Sequence, residues 1–282
     1  MTTTAMLSID EWMWTGANIL FSIIRPIVAD FYKQRCFHYV PRFTKGTYIS
    51  ARTLHPTELM IERPVRAEDP VITIVIPTIP ENGHQNVVNI LNKQTIDEEY
   101  EVIVVNDASV DICEARNMGI SKASAEIIAL TDDDTRPPLD WAQAIVDVFD
   151  EHDIVCAEGP VTGGINYDGS RSYVGCNLSF LRDVALDIGG FDSDYAGWRD
   201  DTEFGWRMEV VGNCRYDKTI EMEHPPRPGS SYIHDNELKL REEFPLKYHE
   251  VMVENASAVE RLYRHFHRIG VVDLINKVRY NR

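Results

Sequence analysis

The stretch "VITIVIP" (Val71–Pro77) is an unbroken run of β-branched residues closed by a proline. A strand covered on both faces reads this way, whereas a half-exposed strand alternates apolar and polar positions. Working outward, "YEVIVVND" (Tyr100–Asp107) and "AEIIALTD" (Ala125–Asp132) repeat the pattern, and "DIVCAEG" (Asp153–Gly159) is a fourth, shorter candidate. Residues 84–94, 111–124 and 138–150 read as helices between them. Strands alternating with helices predict an α/β fold: a Rossmann-like, mostly parallel sheet with helices on both faces. Residues 33–70, rich in Arg and Pro, read as an irregular connection. "CRYDKTIEM" (Cys214–Met222) reads as one further strand, and "DDTEFGWRMEVV" (Asp200–Val211) as a helix that starts on two acids, where the positive helix end favours them.

Ligands of such sheets bind beyond the carboxyl ends of the strands. Three polar clusters fall there: "PTIPENGH" after the first strand, "NDAS" after the second and "TDDDTRPP" after the third. Adjacent Asp132, Asp133 and Asp134 repel one another. Either water solvates them on a turn, or a hard cation sits among their oxygens, as Mg²⁺ does with one or two carboxylates plus phosphate. Neither Gly-x-Gly-x-x-Gly nor a Walker loop follows the first strand, so a dinucleotide cofactor and a P-loop are unsupported.

The 282 residues carry a net charge of −17 and are 44% hydrophobic, which suits a globular core. Charge is uneven: residues 25–66 hold eight Lys/Arg against three acids, and residues 258–282 six against two. The acidic body between them argues against nucleic-acid binding, while the basic flanks suit an anionic membrane surface. The five cysteines are scattered and odd in number, which disfavours a disulfide framework or structural zinc and fits reduced thiols facing the cytoplasm. "WMWTGANILFSIIRPIVADFY" (Trp12–Tyr32) is long enough to span a bilayer but is interrupted by Asn18, Arg25, Pro26 and Asp30; its aromatic residues suit an interface. "VERLYRHFHRIGVVDLINKVRYNR" (Val259–Arg282) sets Leu262, Phe266, Ile269, Val272 and Ile275 against a basic face, as an amphipathic helix does. Both flanks read as attachments to the cytoplasmic membrane face, with packing on the body or on a second copy as the alternative.

From Val71 to about Gly229 the chain resembles the family 2 glycosyltransferases, which have the GT-A fold. "VITIVIPT", "EVIVVNDASVD", "ARNMGISKASAEIIALTDDD", "GGFDSDYAGWRDDTEFGWR" and "EMEHPPRP" follow one another in the family's order. The resemblance implies a catalytic domain at residues 71–229, an N-terminal flank at 1–70 and a C-terminal helical extension at 230–282. It also implies inverting transfer of a sugar from a nucleotide diphosphate donor, a UDP-sugar by family preference, with Mn²⁺ or Mg²⁺ as cofactor. A glycan or lipid-linked acceptor follows from the flanks.

By the same resemblance, Pro77, Thr78 and Asp107 hold the nucleotide base, and Arg116 lies near the nucleotide. Asp132 takes the ribose, Asp133 and Asp134 the cation, and His224 is a third cation ligand. Arg227 reaches the diphosphate. Asp201, with Asp200 beside it, is placed as the base on the acceptor hydroxyl, and Trp198 as a platform for sugar. "SYVGCNLSFLRDVALDIGGFD" (Ser172–Asp192) matches the wall of donor sugar and acceptor. Thr131 stands where the family's acidic motif usually begins. Nucleotidyl transfer is the competing enzyme class, though "PTIPENGH" lacks its basic loop; a non-catalytic sugar-nucleotide or glycan-binding protein is the third reading.

Overall fold

The computed structural model describes residues 61–275, apart from 165, 170, 227–232, 255–257, 272 and 273. Residues 12–32, Val272 and Arg227, all singled out in the sequence, therefore lie outside the described residues. The chain runs through β1 (Ile61–Val65), β2 (Ile72–Thr78), α1 (Gln85–Leu91), β3 (Tyr100–Asn106), α2 (Ile112–Lys122), β4 (Ile127–Leu130), α3 (Trp141–Glu151), β5 (Cys156–Glu158) and β6 (Val161–Thr162). It continues through β7 (Leu178–Leu181), α4 (Arg182–Asp187), α5 (Asp200–Val211), β8 (Cys214–Tyr216), β9 (Met222–Glu223), α6 (His234–Glu243), α7 (Pro245–Tyr248) and α8 (Ala258–Arg268).

Seven strands form one sheet in the order β1-β3-β2-β4-β7-β5-β8. Strands β2, β3 and β4 are mutually parallel, and β5 pairs parallel with β8. Antiparallel β7 joins β4 to β5, so all five of these strands point the same way. Every residue of β2 is buried. Ile72, Ile74 and Ile76 pack with Val87 and Leu91 of α1 and Trp141 and Ile145 of α3. Val75 faces the opposite layer, with Ile120 of α2 and Phe204 and Trp206 of α5. The uninterrupted apolar run is thus explained: each face of β2 has its own helical cover. Helix α2 approaches β2 closely at Gly119, where a Cβ would collide with the Val75 side chain. Its start is fixed by a capping box in which Asp111 and Glu114 satisfy each other's backbone amides.

Two sequence expectations are corrected. The connection at residues 33–70 is not irregular throughout, because Ile61–Val65 adds an antiparallel edge to β3. The edge position tolerates Pro64, which has no N–H for the ladder, and the register shifts between Glu62 and Val65. Arg63 secures this strand by donating to the buried Glu101 carboxylate at 2.5 Å, which also accepts from Thr73 Oγ1 at 2.8 Å. Cys214–Met222 is not one strand: Asp217 accepts from the Thr219 amide at 3.0 Å and hydroxyl at 2.8 Å, which folds a turn between β8 and β9. Strand β9 leaves the main sheet to pair with β6. The segment Ser172–Asp192 also contains β7, an internal strand of the main sheet.

Part of the C-terminal extension packs on the body, since Leu240, Val251 and Met252 join the core with Trp206. Beyond it, Leu262, Phe266 and Ile269 of the α8 region are exposed. No helix among the described residues is long and apolar enough to cross a membrane. Four cysteines, at 113, 156, 176 and 214, are free thiols.

Candidate active site

The carboxyl ends of β2, β3 and β4 open onto a cleft of about 330 Å³, within the size range of small-molecule sites. Pro77, Thr78, Asp107, Arg116, Asp132, Asp133, Asp200 and Asp201 all line it. Eight residues from four sequence-distant segments therefore converge, as the strand order implied. Asp107 sits in a turn, its Oδ1 accepting from the Ser109 amide at 2.8 Å and hydroxyl at 2.6 Å. Those two bonds lower its pKa and keep it ionised.

The three adjacent aspartates diverge. Strand β4 ends at Leu130, and a tight turn follows in which Thr135 Oγ1 donates to the Asp132 carbonyl at 2.8 Å. Asp133 turns toward β2 and accepts from Thr78 Oγ1 at 2.5 Å and Asn82 Nδ2 at 3.0 Å. Asp132 and Asp134 turn toward His224, with carboxylate oxygens 3.6 and 3.3 Å from its Nε2. The buried imidazole is oriented by Nδ1, 2.7 Å from the Pro225 carbonyl. A carbonyl only accepts, so Nδ1 carries the proton and Nε2 is the ring atom that faces the carboxylates. That tautomer is the one a cation ligand needs. The donor set fits a divalent cation: carboxylate oxygen and an imidazole nitrogen already oriented by a carbonyl. His224 comes to the site because its amide donates to Thr162 of β6 at 2.8 Å, extending the small sheet. Of the expected cation ligands, Asp134 and His224 are thus brought together, with Asp132 in place of Asp133.

The second acidic cluster is built at the first turn of α5. Arg199, just before it, lies in the left-handed region at φ 69°, a conformation costly for a residue with a Cβ. Its guanidinium is held by Glu237 of α6 at 2.8 Å. Asp200 and Arg116 form a buried ion pair, and Arg116 also lies 5.0 Å over the Phe191 ring. Arg116 is therefore an interior residue. Its guanidinium passes against Gly175, where a Cβ would collide with it.

Asp201 has no such cation partner. Its Oδ2 accepts from the Gly175 amide at 3.0 Å and its Oδ1 from the Thr202 amide at 2.7 Å. Burial raises its pKa to about 6, with the Asp200 charge adding to the rise and Arg116 and the two amides opposing it. A second cavity of about 160 Å³ lies beside it, lined by Tyr173, Gly197, Trp198, Arg199 and Thr202. Gly197, Asp200 and Asp201 line both cavities. Trp198 is half-buried there, its Nε1 donating to Glu237 at 2.9 Å.

Sequence reading missed Asn82, the Gly175 amide and Cys176. A backbone N–H has no side-chain signature, and "GCN" carries no motif. The turn Gly175–Asn177 matters because it delivers both groups to the cleft.

Residues 111–187 match the family model Glycosyl transferase family 2. A glucosyl-dolichyl phosphate glucuronosyltransferase of Haloferax volcanii is 26% identical over a region covering 33% of this chain and 38% of that protein, so the match spans well under half of the relative's length. Among solved structures, TarS 1–349 of S. aureus superposes with a TM-score of 0.52 at 14% identity, covering 74% of this chain and 76% of that one. The same protein in complex with UDP-GlcNAc gives 0.51 at 15% identity, covering 69% and 72%. The fold expected from the strand pattern is the one these structures share.

Proposed function

We propose that this chain is an inverting glycosyltransferase that moves a sugar from a nucleotide diphosphate donor to a hydroxyl or phosphate acceptor. The observation that carries the reading is Asp201: a carboxylate with a raised pKa, fixed by two backbone amides, on the wall between two cavities. Inversion by direct displacement requires the acceptor on the face of the sugar opposite the leaving diphosphate. The larger cleft is assigned to the donor and the smaller, with Trp198 as its apolar wall, to the acceptor hydroxyl. Asp201 accepts the hydroxyl proton as the new bond forms, and Arg116 balances Asp200 so that the base is not surrounded by uncompensated negative charge. On the donor side, Pro77, Thr78 and Asp107 take the base and ribose region. Asp132, Asp134 and His224 would hold Mn²⁺ or Mg²⁺, which when bound neutralises the diphosphate as it departs. Asp133, engaged by Thr78 and Asn82, braces the donor side of the cleft. Arg227 remains assigned to the diphosphate by resemblance.

A UDP-sugar is favoured as donor, as the TarS complex with UDP-GlcNAc supports. A lipid-linked acceptor is favoured by the dolichyl phosphate chemistry named for the Haloferax relative. The catalytic domain is assigned to residues 71–229, between flanks at 1–70 and 230–282 that attach peripherally to the cytoplasmic membrane face. Exposed Leu262, Phe266 and Ile269 support the C-terminal attachment; a Leu262→Asp/Phe266→Asp variant that still sediments fully with anionic vesicles would count against it.

The central test is Asp201→Asn. Loss of general-base catalysis costs about 10²–10⁴-fold, so sugar transfer from a panel of nucleotide sugars with Mn²⁺ should fall by that amount while UDP binding by calorimetry is unchanged. Parallel loss of binding and transfer would remove Asp201 from the role, and binding without turnover in the wild type would favour a non-catalytic module.

A further inference from the structure

The cation cluster contains a residue of a different chemical kind. Cys176 lies with Asp132 and His224 such that one oxygen, one nitrogen and the Sγ fall within 4.8 Å of one another. Donors bound at about 2.0–2.3 Å to one tetrahedral ion stand roughly 3.3–3.8 Å apart, so side-chain movements of about an ångström bring all three to a single ion. We propose that Cys176 is a direct thiolate ligand of the cation, which makes this a mixed sulfur, nitrogen and oxygen site selective for thiophilic or borderline ions over Mg²⁺. The proposal rests on the cation site assigned above and adds to it a ligand and a selectivity.

Three features support it. Cys176 is 2% exposed overall yet lines the cleft, so its thiol faces the site and little else of it meets solvent. The turn that carries it is anchored on both sides. Gly175 donates to Asp201, while Asn177 donates to the Pro160 carbonyl at 3.1 Å and the Ile220 carbonyl at 2.8 Å and accepts from Trp141 Nε1 at 2.9 Å. A donor between two such anchors is held in place before an ion arrives. The chemistry also differs from an all-carboxylate site. Mg²⁺ demands near-octahedral oxygen and keeps its waters, whereas imidazole and thiolate suit Zn²⁺, Co²⁺ and, less strongly, Mn²⁺. On binding, the thiol proton leaves to solvent and the sulfur lone pair goes to the ion.

The test uses Co²⁺ as a spectroscopic probe on the full chain. Wild-type protein titrated with Co²⁺ should develop a thiolate-to-cobalt charge-transfer band in the near ultraviolet. Cys176→Ser should lose that band while keeping the visible d–d transitions of Co²⁺ held by Asp132 and His224. Loss of an outer-shell partner alone costs about 10–100-fold in metal affinity. Loss of a direct sulfur donor should therefore lower the Mn²⁺:Mg²⁺ affinity ratio, measured by calorimetry, by at least about tenfold. Cys176→Ala with circular dichroism and thermal melting checks that the fold persists, since serine places a hydroxyl in a buried site. A wild type that binds Co²⁺ without the band, or a Cys176→Ser variant that retains it, overturns the proposal. The failures are separable: the band without sugar transfer leaves the thiolate ligand standing and sinks the transferase reading, and transfer without the band does the reverse.

Discussion

The two acidic clusters of the cleft solve like-charge repulsion in opposite ways. Asp132–Asp134 stands at the end of a strand and splays: one carboxylate goes to β2, while two go to a histidine whose proton is committed elsewhere. Asp200 and Asp201 stand at the start of a helix and are balanced internally, one by a buried arginine and the other by two amides. The first arrangement invites an external cation. The second is complete without one and leaves a single carboxylate whose proton affinity is tuned. In the proposed reaction, the first cluster serves the leaving diphosphate and the second activates the acceptor.

The largest expected effect comes from undoing the internal balance. Arg116→Ala leaves Asp200 buried without its partner, and breaking a buried pair from one side costs about 3–5 kcal/mol. Chemical denaturation should show that loss for Arg116→Ala, and a much smaller one for the double variant Arg116→Ala/Asp200→Asn, because the stranded charge is then removed too. Equal losses in single and double variants would show that Arg116 stabilises by packing on Phe191 instead.

The external cation should give the next effect. A ligand that binds only the folded state at about 100 times its Kd adds roughly 2.7 kcal/mol. Saturating Mn²⁺ should therefore raise the Tm of the wild type and of Asp201→Asn alike, and chelation should reverse it. His224→Ala should lose most of the shift. A Tm that rises equally in His224→Ala would place the cation elsewhere.

This contrast also sorts what the sequence made legible. The strand-end position of Asp132–Asp134 followed from periodicity alone, because β2, β3 and β4 are buried on both faces and announce themselves as apolar runs. The split among the three aspartates did not follow, because it is decided by Thr78 and Asn82 on one side and His224 on the other, partners 51 or more positions away along the chain. The pair at Asp200 and Asp201 was legible as a helix start, yet its electrostatic meaning depends on Arg116, 84 residues upstream. Edge strand β1 was hidden by Pro64, whose usual reading is a strand breaker and whose missing N–H is harmless at a sheet edge. Antiparallel β7 was hidden for another reason: its apolar run "LSFL" is four residues long and sits inside a stretch rich in turn signals. Cys176 is the extreme case, a single sulfur that acquires meaning only when β4, the 175–177 turn and β9 meet.

The smallest effect separates the clusters by pH. In the proposed role Asp201 acts as its carboxylate, and burial, with the Asp200 charge adding to it, raises its pKa to about 6. Below that value the base holds a proton, so kcat/KM should fall about tenfold per pH unit on the acid side, with the limb centred near pH 6. Stability moves the other way. A carboxyl whose pKa is higher folded than unfolded binds protons more tightly in the native state, so its contribution is fully present below the ordinary aspartate range and is lost as pH rises through about 6. Asp200→Asn removes the neighbouring negative charge and leaves the Arg116 charge near Asp201 no longer paired by Asp200. Both changes favour the ionised base, so the acid limb should shift to lower pH even where the maximal rate drops. A limb that stays fixed would mean that the titrating group belongs to the other cluster or to the substrate, and that the internal balance at α5 does not set the proton affinity of the base.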